Sequence, residues 1–415
     1  MGFGLRLPYE NVFTRFADTA DLDAFGRVKV SEPVSLFDNM SEYGNDAAFW
    51  ETAVSGGSVA HVPNNCAVRL STGGTTDAQY AYRQTRQYLR YQPGRSLNIE
   101  TTFTMSAAVA NGRARIGYFD ASNGIFFQRS GSAVSIVRRT NVTGTPTDNV
   151  VAQADWNADK MDGSGASGVT LDVTKANILF IQMQFLGVGR VQVGFVVDGR
   201  PIVAHEFLNA NNLSTVYMST GCLPVRGEVI NVGTAGGTLT MDMYCTSVSS
   251  GGIGANQKQF SRATAIAGRS TSTTLLPVIS IRAATILGGV GSGGSLTNRG
   301  HIIPKAVEML VASANHQYRL VLNATLTGPS WTANGAASIA DFDITASAMS
   351  GGTVLDQGYL VAAGATRGTG TADLFTIAPL VYTGLGSAQD ILTVGIQTLT
   401  GSGTANASIT WTEEY

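Results

Sequence analysis

Wherever apolar and polar residues alternate clearly along this chain they do so with a period of two, and that period predicts strands. Ile99, Thr101, Phe103 and Met105 alternate with polar neighbours. The runs Ile116 to Phe119, Ile125 to Gln128 and Ala133 to Val137 are separated by Ser122-Asn123-Gly124 and Ser130-Gly131-Ser132 turns, the pattern of a β-meander. The clearest run places Leu179, Ile181, Met183 and Phe185 on one side with Gln182 and Gln184 between them. A Gly187-Val188-Gly189-Arg190 turn leads to Val191, Val193, Phe195 and Val197, and Asp198-Gly199 turns the chain again into Pro201 to Phe207. Antiparallel strands with one apolar face each must cover that face with a second sheet.

Two glycine-rich stretches, Ser249 to Gly254 and Gly288 to Gly294, interrupt this pattern and do not suit regular elements. Beyond the first, Leu276 to Ala283 reads as an edge strand opened by Pro277. Tyr318, Leu320, Leu322, Ala324 and Leu326 alternate cleanly, and Ile391 to Leu399 and Ala407 to Trp411 read as two final strands. The expected organisation is an N-terminal arm at 1–40, an antiparallel β-sandwich at 41–250, a Gly/Ser-rich linker at 251–265 and a smaller C-terminal β-domain, sandwich or barrel, at 266–415. The fold class is all-β.

Composition agrees. Charged residues make up 13% of the 415 residues, roughly half the ~25% of an average soluble protein. The 49 glycines and the many serines and threonines suit short strands and tight turns better than helices. A net charge of −2 gives no general reason to expect nucleic acid or an anionic membrane as partner. The N-terminus is too short and interrupted for a signal segment and no long apolar run follows, so a soluble, uncleaved protein is expected. Cys66, Cys222 and Cys245 are odd in number and lack CxxC spacing, which leaves buried free thiols as the expectation.

Candidate chemistry is sparse. Asp155, Asn157 and Asp159 place oxygens at alternate positions as a calcium loop does, but Lys160 and Ala166 stand where such a loop needs glycine and a bidentate acid. No metal and no cofactor are expected. His205 and Glu206 fall on opposite faces of their strand, which does not suit an acid/base pair, and no carboxylate spacing of a glycanase occurs. The four histidines are scattered, and no GxSxG, HExxH or phosphate-binding loop appears. The richest cluster is Gln79 to Arg95, with Tyr80, Tyr82, Arg83, Arg86, Tyr88 and Arg90. Alternation puts Tyr80, Tyr82, Gln84 and Arg86 on one face and Arg83 on the other, so the basic residues form no single stripe for nucleic acid. Tyrosine and arginine suit a protein interface, and that is the expected role.

Two segments carry resemblances. Asp23 to Asp38 reads DAFGRVKVSEPVSLFD. It resembles a segment of tailed-bacteriophage structural proteins, where DAFGR(L/V)(R/K)VS-P-(T/S)LFD precedes a β-rich body. The resemblance implies a virion component, assembled in the host cytoplasm, whose arm docks onto other virion proteins through Phe25, Arg27, Leu36 and Phe37. Leu171 to Phe207 resembles the central strands of a concanavalin-like sandwich of the lectin or laminin-G type, a fold that hosts lectins, glycanases and inert modules alike. The expectation drawn from both is a non-enzymatic structural protein. Its expected place is the capsid surface, as a decoration or head-fibre protein. It is expected to be a homo-oligomer, a trimer, in which an exposed terminal strand such as Ala407 to Trp411 adds to a neighbour's sheet. The alternative is a tail-associated receptor-binding protein for a host glycan, marked by exposed aromatics in a groove of the sandwich.

Overall fold

Period-two runs become strands here because each has one face to bury and another to leave toward solvent or polar partners. The computed structural model describes residues 33–252, 257–285, 297–362, 379–382, 384–385 and 389–415, and every structural statement concerns these. The N-terminal fifteen strands are β1 Val34–Met40, β2 Trp50–Ser55, β3 Ser58–Val62, β4 Ala67–Ser71, β5 Tyr80–Thr85, β6 Leu97–Met105, β7 Gly112–Phe119, β8 Gly124–Ser130, β9 Ala133–Thr140, β10 Thr147–Ala152, β11 Asn177–Met183, β12 Val191–Val197, β13 Arg200–Phe207, β14 Val225–Asn231 and β15 Thr240–Ser250. They form an eight-stranded sheet in the order β13-β12-β11-β6-β15-β4-β3, with β1 also on β15, and a seven-stranded sheet in the order β10-β9-β8-β7-β14-β5-β2. Neighbouring strands in both sheets run antiparallel, and the two sheets pack as a jelly-roll sandwich.

The core lies between the inner faces. Ile99, Phe103, Leu179, Ile181, Val193 and Phe195 meet Ile116, Tyr118, Ile125, Phe127 and Val229, all buried. Phe127 meets Phe195 edge to face with ring centroids 5.3 Å apart, which ties one sheet to the other. The Tyr118 hydroxyl, wholly buried, donates to Leu89 O at 2.7 Å and accepts from Leu223 N at 3.0 Å. Its polar tip is therefore satisfied inside the core.

The C-terminal strands are β16 Lys258–Ala263, β17 Arg269–Thr271, β18 Leu276–Ala283, β19 His301–Ala312, β20 His316–Leu322, β21 Thr325–Thr327, β22 Thr332–Ala333, β23 Ala340–Asp343, β24 Ala348–Ser350, β25 Thr353–Leu360, β26 Ile391–Thr398 and β27 Gly403–Glu414. A sheet of β16 and β17 on one side of β27 and β19 on the other packs on a six-stranded sheet in the order β22-β23-β18-β26-β20-β25, with β21-β24 as a small extra pair. Trp411, Ile409 and Met309 from the first, and Ile281, Leu320, Val394 and Ile396 from the second, build a separate core. The second domain is thus a β-sandwich as well.

Several expectations need correction. Of the arm drawn as 1–40, residues 34–40 are strand β1, paired with β15 from Val34↔Ser250 to Met40↔Cys245, and residues 1–32 lie outside the described residues. The linker drawn as 251–265 overlaps β16, which pairs with β27. Leu276 to Ala283 is not an edge strand: β18 lies between β23 and β26, and Pro277 is accommodated by a register shift between Pro277 and Ile279. Ala407 to Trp411 is not an exposed edge, since β27 is flanked on both sides and Trp411 is wholly buried. The run from Tyr318 breaks at Asn323, whose φ of 58° is left-handed, so Thr325–Thr327 pairs elsewhere. Cys66 and Cys245 are exposed and Cys222 is half-buried, its thiol pushed up by burial.

Candidate functional site: the outer face of the seven-stranded sheet

In β5, β7 and β14 every second residue points away from the core, and these outward positions carry most of the notable chemistry of the sandwich. Ala114, Ile116 and Tyr118 face inward, so Arg115, Gly117 and Phe119 face out; likewise Val225, Gly227 and Val229 face in while Arg226 and Glu228 face out. Phe119, Phe126 and Val137 form a small buried apolar cluster of their own on this outer side. The Arg115 and Arg139 guanidiniums lie over Phe126 at 5.1 and 5.3 Å, and Arg226 lies over Tyr82 at 4.3 Å and Phe119 at 5.5 Å.

A polar chain crosses the same face. Arg115 donates to Gln128 Oε1 at 2.7 Å and to Glu228 Oε1 at 3.1 Å. Glu228 is also paired with Arg226 at 2.8 Å, and Arg226 donates to Gln84 Oε1 at 3.4 Å. Gln84 in turn donates to Glu51 Oε1 at 2.7 Å. Asp148 accepts from Arg139 Nε at 2.7 Å and from its Nη2 at 2.9 Å, one on each carboxylate oxygen. Burial works to raise the Asp148 carboxyl, but the hydrogen bond and charge of Arg139, helped by Arg115, hold it below the usual carboxylate range. The Arg115 guanidinium is pushed down by burial against the pull of Glu228.

Tyr80 and Tyr82 close this face on the β5 side. Their rings stack with centroids 4.3 Å apart and an interplanar angle of 18°, and both are half-buried. Burial first, then the charge of Glu228, raises the Tyr82 phenol. Arg83 points the other way, as alternation predicts, and is buried inside the sandwich. It sits 3.9 Å over the Trp50 ring and donates to Asn45 O at 3.3 Å. Burial pushes its guanidinium down to about 9 despite Asp46. An interface role for Arg83 is therefore corrected: it has no surface to offer.

Arg86, Tyr88 and Arg90 follow β5, and the first two serve an interface inside the chain. Arg86 pairs with Asp390 of the second domain at 2.5 Å. The Tyr88 ring lies under Arg299 at 4.8 Å, and Arg299 pairs with Asp120 at 2.6 Å. Burial first, then the charge of Asp120, raises the Tyr88 phenol to about 12. Glu51 accepts from Gly384 N at 2.9 Å and Leu385 N at 3.0 Å. A Cβ on Gly384 would stand 2.3 Å from Tyr88 Oη, so only glycine allows this approach. Arg90 is half-buried. His301, buried at the start of β19, has its imidazole lowered by burial, partly offset by Glu414 and a hydrogen bond to the Tyr88 backbone.

The remaining candidates fall apart or into the core. Leu36 packs against the sandwich core, and Phe37 is 5% exposed with its ring edge-on to Trp50 at 5.6 Å. Neither is a free anchor, which corrects their assignment to docking. Phe25 and Arg27 lie outside the described residues. Asp159 caps its own loop, accepting from Met161 N at 2.8 Å and Ser167 N at 2.7 Å. Asn157 brackets the Glu206 backbone, donating to its carbonyl at 3.0 Å and accepting from its N–H at 2.8 Å. Asp155 is exposed. The three do not converge, and among the described residues no group of three or more His, Cys, Asp or Glu is placed to hold a metal. Glu206 pairs with Gln192 at 2.7 Å, while His205 is half-turned into Phe207 at 4.7 Å, so the two do not work together.

No protein-family model matches the chain, and no curated protein does. Among solved structures it is similar to a glycoside hydrolase family protein from Mycobacterium thermorestibile, at 12% identity and a TM-score of 0.36, over 51% of this chain and 99% of that one. It is similar to a beta-1,3-glucanase from Mycobacterium marinum at 12% identity and a TM-score of 0.33, over 52% and 100%. It is also similar to a legume lectin-like domain from Entamoeba histolytica at 10% identity and a TM-score of 0.30, over 54% and 100%. Hydrolases and a lectin-like domain appear side by side, and identities this low leave activity, ligand and partner untouched.

Proposed function

We propose that this chain is a structural, non-enzymatic component of a tailed-bacteriophage particle. The observation that carries the non-enzymatic part is the state of the carboxylates on the outer sheet face. Glu228 is held by two arginines, Asp148 by Arg139 and Arg115, and Glu51 by an amide and two backbone N–H groups. A glycosidase needs one carboxyl kept protonated as an acid and a second free to act as base or nucleophile. Arginine pairing occupies the oxygens of Glu228 and Asp148, and it holds the Asp148 carboxyl below the usual carboxylate range. The bonds that join the two domains support a rigid display element. The particle itself is supported by the resemblance of Asp23 to Asp38. That reading brings other virion proteins as partners and a homo-oligomer, a trimer, on the capsid surface. Light scattering of the purified chain tests the trimer, and a monomer at micromolar concentration would refute it.

A second reading, glycan recognition, is favoured by the half-exposed Tyr80 ring, which is backed by the stacked Tyr82 and is an aromatic group on which a sugar can pack. A glycan array with the purified chain tests it. Saturable binding lost on Tyr80→Ala would establish a recognition role, and an array without signal would remove it.

A further inference from the structure

The second domain roofs one end of the outer sheet face, and between roof and floor lies a cavity of about 260 Å³. We propose that this cavity is a binding site for one neutral pyranose residue of a glycan, formed only when both domains are in place. For its ligand class this rests on the glycan-recognition reading; the particle reading stands or falls separately.

Size comes first. At about 30 Å³ per water the space corresponds to roughly eight or nine waters, enough for one hydroxylated ring and too small for a chain of them. The floor is Gln84 and Arg226, one wall is Tyr88 and Asp120, and the roof includes Arg299 and Tyr382. Pockets of this kind, at a domain junction with a few converging polar groups, are where small ligands bind.

Charge comes second. Arg299 is already paired with Asp120 and Arg226 with Glu228, so the walls hold no uncompensated charge for an ionic ligand. What they do hold is planar polar groups, guanidinium, carboxylate and amide, whose paired donors or acceptors match neighbouring hydroxyls on a ring. Tyr88 and Tyr382 add ring carbon to the lining, against which the C–H side of a sugar packs.

The test uses the full chain. Saturation-transfer NMR with the methyl glycosides of glucose, galactose, mannose and N-acetylglucosamine, and with glucuronate as the charged comparison, reads binding directly. The expected result is saturable binding of at least one neutral glycoside, weakened tenfold or more by Ala121→Trp, which adds bulk to the cavity lining, and unchanged by Val150→Ala on the far edge of the same sheet. A crystal soaked with the same glycoside places the ring and decides the matter if the tryptophan variant does not fold. Density in the cavity supports the proposal. Binding weakened equally by Val150→Ala, or density on the tyrosine stack, would overturn the cavity while leaving glycan recognition standing. Preference for glucuronate would overturn the charge balance on which the ligand class depends. Binding of none of these would overturn the cavity site together with the second reading.

Discussion

Glu228 shows how one residue on this sheet can be read in two opposite ways. As a lone glutamate on the exposed-looking side of a strand it invites a catalytic role; between Arg115 and Arg226 it is the hub of a buried ion network. The two roles predict different outcomes. Glu228→Ala leaves two guanidiniums without their carboxylate and should cost about 3–5 kcal/mol in urea unfolding, whereas removal of a strained catalytic acid would leave stability unchanged or raise it. Histidines add a pH dependence. Burial lowers His205, His301 and His316 from 6.5, so folding favours their neutral forms. Because the folded values are depressed, this stability is fully present above pH 6.5 and is lost as pH falls through the lower folded values. Unfolding midpoints should therefore drop below pH 6.5, and less so in His301→Asn. The alternation in Tyr80 to Arg86 was legible in the sequence, including the opposite sense of Arg83. Which face was the inside was not, because that depends on Trp50 and Phe37 arriving from β2 and β1.

At the scale of elements, period and turn chemistry located β6 to β9 and β11 to β13 of the first sandwich, while β2 to β4, β10, β14 and β15 were not picked out and neighbours were beyond local pattern. Pairing is a long-range property: Val34 meets Ser250 and His301 meets Glu414. Thus a segment that looked like an arm became a strand, a proline-opened strand became central through a bulge, and a terminal strand became the middle of its sheet. Strand β1 gives the sharpest prediction here. Phe37→Ala should cost about 3–5 kcal/mol, as for other buried phenylalanines. Deleting residues 1–40 should destabilise the sandwich by several kcal/mol more than deleting 1–33, because only the longer deletion removes Phe37 and bares the edge of β15. Equal thermal midpoints for the two truncations would mean that β1 is dispensable.

Across the whole molecule, Arg86 and Tyr88 of the tyrosine–arginine segment lie at a joint between the two domains of the chain. Arg86–Asp390, Arg299–Asp120 and Glu51 with Gly384 and Leu385 make one joint. Gly384→Ala would drive a methyl into Tyr88 and should split a single calorimetric transition into two, with the Arg86→Ala variant moving the same way by about 1–3 kcal/mol. Held acids on the outer face and a hydrogen-bonded joint between the domains are what the proposed structural role draws on. If the chain is a virion component as proposed, the most direct measurement is cryo-electron microscopy, with quantitative mass spectrometry, of purified phage particles from a genome that carries this sequence. Both β-sandwiches should then appear as repeated density at fixed positions, with the chain present in stoichiometric amount. Its absence from purified particles would refute the virion role.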